Sequence, residues 1–158
     1  MGITFHYSTA KDLLEKARRE LLRLQNAMLG SDDEEIADSL FNFAVTSHHI
    51  ADWLKQESPP LSSQIYGLIA GTPELLICKD LCNAGKHCEI TKYDPVAKES
   101  YISAHAAVVF QSLSGRDVEI PNRRIKVKTV DGDTYEVLEL CVRAFETWQR
   151  FIEKEVSA

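Results

Sequence analysis

The sequence predicts a mainly α fold. It reads as an antiparallel helical bundle with a β-ribbon, about residues 101–130, inserted before the C-terminal helix, in one domain covering 1–158. Three observations predict it. Apolar residues recur at helical spacing up to His87 and again after Asp133. The connections between the helical stretches are short, which makes neighbouring helices pack antiparallel. Between Tyr101 and Val130 the apolar period falls to two, the signature of strands.

The first helix is expected from about Thr9 to Leu29. Leu13, Leu14, Ala17, Leu21, Leu24 and Met28 form its apolar stripe, and Gly30 ends it. Lys16, Arg18, Arg19, Glu20 and Arg23 are assigned to its solvated side. The second helix is expected to start at Ser31 or Asp32, with Ser31 and Glu34 as a capping box, and to end near Glu57 ahead of Pro59-Pro60. A short helix is expected over Ser62–Ile69. The next runs from Pro73 to about His87: Thr72 caps it, Pro73 suits the first helical position and Glu74 suits the positive end of the dipole. Its core-facing stripe is read as Ile77, Leu81, Ala84 and Cys88, with Cys78 and Cys82 at the border.

A strand is then expected over Tyr101–Ser112 and a second over Arg123–Val130. In the second, Arg124, Lys126 and Lys128 point one way and Ile125, Val127 and Thr129 the other. Asp131-Gly132-Asp133 reads as a turn. Asp133 or Thr134 is expected to cap a last helix from about Tyr135 to Lys154, with Val137, Leu138, Cys141, Ala144, Phe145, Trp148 and Ile152 on its apolar side.

A chain of 158 residues is long enough for one substantial core. The net charge of −6 argues against a surface coated with positive charge for indiscriminate nucleic-acid binding, while leaving room for a local basic site. No apolar run approaches the roughly 20 residues of a membrane span, and Met1–Tyr7 lacks signal-peptide character, so a cytoplasmic protein with no membrane partner is expected. The four cysteines, Cys78, Cys82, Cys88 and Cys141, are expected to be reduced there. A zinc site built from His87, Cys88 and Cys78 or Cys82 is a minor alternative; the spacing is loose for tetrahedral zinc, and no metal is expected.

The densest polar grouping is Lys79-Asp80-Leu81-Cys82-Asn83-Ala84-Gly85-Lys86-His87. On a helix, Lys79, Asn83 and Lys86 fall at i, i+4 and i+7, flanked by Asp80 and His87. A second grouping lies in Phe41–Trp53, where Asn42, Thr46, His49 and Trp53 share a face and His48 stands i, i+4 from Asp52. A carboxylate there can fix the tautomer of an imidazole. Together, Phe41–Trp53, Cys78–His87 and the apolar last helix resemble a group of small bacterial helical proteins of unknown function, which in turn resembles the HEPN superfamily (higher eukaryotes and prokaryotes nucleotide-binding).

That resemblance implies an antiparallel helical bundle, usually a homodimer. In many members it also implies a metal-independent ribonuclease of toxin–antitoxin or phage-defence systems. The family motif is an Arg, a polar residue, three further residues and a His. Asn83-Ala84-Gly85-Lys86-His87 matches its polar residue and His, while Cys82 stands where the family has Arg. A cysteine cannot supply the forked charge that Arg offers to phosphate.

As a ribonuclease, the chain would use His87 as acid or base near neutral pH, Lys79 and Lys86 for the charge developing on phosphorus, Asn83 to orient phosphate or ring, and Asp80 to hold Lys79 or His87. No cofactor is called for. His48, His49 and Asp52, together with Arg124, Lys126 and Lys128, are the candidate binding residues. Edge protection is the favoured reading of the charged strand. Two functions therefore stay open: RNA cleavage or binding, and a non-catalytic module for dimerisation or a protein partner.

Overall fold

The computed structural model describes residues 6–30, 32–87, 94–103, 108–111, 117–120 and 124–156; for residues 85–87, 100–103, 108–111, 117–120 and Arg124 it describes the backbone alone. The chain is mainly helical, with a small three-stranded antiparallel sheet before the C-terminal helix.

Helix α1 spans Ala10–Leu29. Thr9 caps it: its hydroxyl accepts from the Asp12 amide, and Asp12 accepts from the Thr9 amide in return, so two orphan donors are satisfied reciprocally. Helix α2 spans Asp33–Glu57. Its cap is Asp32, whose carboxylate accepts from the amides of Glu34 and Glu35, rather than the expected Ser31–Glu34 box. An anionic cap also suits the positive end of the helix dipole. A 3-10 turn at Pro59–Leu61 leads into α3, Ser62–Ala70, and then α4, Pro73–His87.

Strand β1 spans Ala97–Ser103, β2 Val108–Gln111, β3 Asp117–Ile120, β4 Arg124–Thr129 and β5 Thr134–Glu136. The sheet order is β1-β4-β5, all antiparallel, while β2 and β3 pair with each other. Helix α5, Val137–Glu155, closes the fold. The expected single strand over 101–112 is two strands with different partners, and residues 104–107 between them lie outside the described residues. Thr134 and Tyr135 do not open the last helix. They pair with Lys128 and Val127 as β5, and α5 starts at Val137 without a side-chain cap. The tight turn at Gly132, whose φ of 96° is costly for any other residue, brings β5 back onto β4.

Helix α5 packs against α1, α2 and α4, and α2 packs against both α1 and α4. The three helices thus form a layer with α2 in the middle and α5 beneath. Phe43, Ile50, Leu54, Leu24, Ile77, Leu140, Trp148 and Ile152 fill the space between. Polar contacts also cross this core. Trp148 Nε1 donates to Ser47 Oγ at 3.1 Å, joining α5 to α2. Ser47 also hydrogen-bonds the Cys78 thiol, joining α2 to α4.

The burial of α4 bears out part of the expected stripe. Ile77 is fully buried, while Leu81 is half-buried and Ala84 exposed. The buried arc takes in Leu75, Ile77, Cys78 and Cys82, so the two cysteines expected at the border face the core.

Candidate functional site

Helix α4 coils without interruption to His87, as the polar grouping requires. Lys79 and Asn83, one turn apart, are both half-buried on the side of α4 away from α5. Asp80 turns the other way and is 4% exposed. Its Oδ2 accepts from the backbone amides of Val96 at 2.7 Å and Ala97 at 2.9 Å. The carboxylate thus pins the entry of β1 to α4. The side chains of Lys86 and His87 lie outside the described residues.

On α2, the rings of His48 and His49 are half-buried, with centroids 6.4 Å apart and planes tilted by 40°. Asp52 pairs with Lys55, Oδ1 to Nζ 2.8 Å, instead of serving only as the neighbour of His48. Burial works against the Lys55 charge, but the hydrogen bond and attraction from Asp52 outweigh it, and its pKa is raised. The contact between Ser47 and Cys78 fixes how α2 and α4 meet. His48 is the next residue after Ser47 on α2 and Lys79 the next after Cys78 on α4, so both positions adjoin this contact.

The strand residues occupy a different place. Strand β4 is the centre of its sheet, so Lys126 and Lys128 guard no edge. Lys128 Nζ lies 3.7 Å from Glu99 Oε1 on β1, its register partner, and Lys126 stands opposite Tyr101 on β1 and Glu136 on β5. Such cross-strand charge pairs stabilise a sheet modestly. Ile125, Val127 and Thr129 are buried, as the alternation predicts. The side chain of Arg124 lies outside the described residues.

A groove of about 180 Å³ runs between α4 and the sheet, lined by Asp80, Leu81, Ala84, Ala97, Lys98 and Val127. It is smaller than the roughly 300 Å³ at which ligand pockets begin, so this groove would not enclose a nucleotide. Comparison with family models, curated proteins and solved structures finds no match to this chain. The site is therefore judged on its own chemistry.

That chemistry excludes two of the cysteines as reactive groups. Burial pushes the Cys78 thiol up to about 12, with Glu74 and Cys82 nearby adding to the effect against the hydrogen bond from Ser47. Burial raises Cys141 well above the ordinary thiol value. Both are neutral hydrophobes at any physiological pH. Among the described residues no three His, Cys, Asp or Glu side chains converge on a position that could hold a metal. The zinc alternative involving His87 and Cys88 falls outside them.

One group escaped the sequence reading. Glu20, assigned to solvent, is 3% exposed on the α2-facing side of α1. Its Oε1 accepts from Lys16 Nζ at 3.0 Å and Arg23 at 2.8 Å. Lys16 also donates to Thr46 Oγ1 at 2.6 Å, and Thr46 in turn donates to the Asn42 carbonyl. Burial works to raise the Glu20 pKa, but the two cations outweigh it and lower it. The signal was present in the spacing: Glu20 shares the arc of Leu13, Ala17 and Leu24.

Proposed function

We propose that this chain is a HEPN-like helical protein that engages RNA over the α2–α4 seam and cleaves it without a metal, with His87 as the acid–base group. The observation that carries this reading is the unbroken coiling of α4. It sets positions 79, 83 and 87 one turn apart on one helix. In this reading His87 takes the proton of a ribose 2′-hydroxyl, the 2′-oxygen attacks phosphorus, and the departing 5′-oxygen takes up a proton. Lys79 meets the charge that develops on the phosphoryl oxygens, and Asn83 orients the phosphate. Asp80, whose Oδ2 holds the start of β1, is read as also holding Lys79 or His87.

The test is incubation of purified wild type and His87→Ala with RNA in the presence of chelator. Wild type is expected to cleave, and His87→Ala to lose about a hundredfold or more of the rate. Equal and negligible cleavage by both removes the enzymatic claim.

One observation favours the second reading, a non-catalytic module for self-association or a protein partner. Cys82, at the position of the motif's Arg, has no exposure, so this position offers no charge to phosphate. That reading expects self-association or a copurifying partner. A strictly monomeric profile in sedimentation, with nothing copurifying, removes it.

A further inference from the structure

No further inference is drawn: the strongest candidate, the surface patch formed by the exposed face of α3 at Tyr66 and Gly67 together with the groove of about 540 Å³ between α3 and α5, carries nothing, because nothing in the structure shows what covers it.

Discussion

Replacing Asp80 with alanine should release β1 from α4. The Asp80 carboxylate is almost wholly buried, and one oxygen accepts from two backbone amides, Val96 and Ala97, at 2.7 and 2.9 Å. Hydrogen bonds to a charged acceptor contribute about 1.5–3 kcal/mol each, and alanine leaves both amides without this acceptor. Two such bonds give a loss of about 3–6 kcal/mol, a large share of the stability of an ordinary domain. With a urea m-value of about 2 kcal/mol/M, the unfolding midpoint should fall by roughly 1.5–3 M. Asp80→Asn keeps an acceptor oxygen and loses only its charge, so its cost should be nearer about 1–2 kcal/mol. Urea titrations followed by far-UV circular dichroism measure both, and hydrogen exchange at the Val96 and Ala97 amides reports the local release. A loss below about 0.5 kcal/mol for Asp80→Ala, with those amides still protected, would refute the assignment of this carboxylate to the fold.

Two further outcomes follow from the core. Ser47→Ala removes the acceptor for Trp148 Nε1 and should cost about 1–3 kcal/mol, with a shift in tryptophan emission; an unchanged melting midpoint would contradict it. Cys78 and Cys141 should resist iodoacetamide in the native protein at pH 8 and react once urea unfolds it, as peptide mapping can show. The folded Cys78 pKa, about 12, lies above the unfolded value of 9.0, so its contribution to stability is complete below pH 9 and is lost as pH rises from there toward 12. A stability curve that stays flat from pH 9 to 11 would count against that burial.

Much of the fold is written locally. The ends of α1, α2 and α4 follow from Thr9, Gly30, Pro59 and Pro73, because caps and prolines act within a turn of where they stand. The alternation of Ile125, Val127 and Thr129 against Lys126 and Lys128 likewise needs no partner strand to be read. The chain also declared its polar groupings, Lys79 to His87 and Asn42 to Asp52, through spacing alone.

The partners of those groups were not local. Asp80 gives no sign in the sequence of the two amides 16 and 17 residues away that it accepts from, and only the return of β1 along α4 brings them to it. Thr134 and Tyr135 carry helix-compatible neighbours, yet the edge of β4 captures them as β5, since pairing there satisfies backbone groups that a frayed first turn would leave open. Glu20 reads as one more solvated charge until α2 arrives over it and the choice becomes burial with two cations or burial alone. The sequence by itself determined the helices, the sign of the central strand's two faces and the candidate residues, because these depend on contacts within about a turn or a pleat. Tertiary structure alone decided which carboxylates hold the fold together, because that depends on what distant segments bring alongside them.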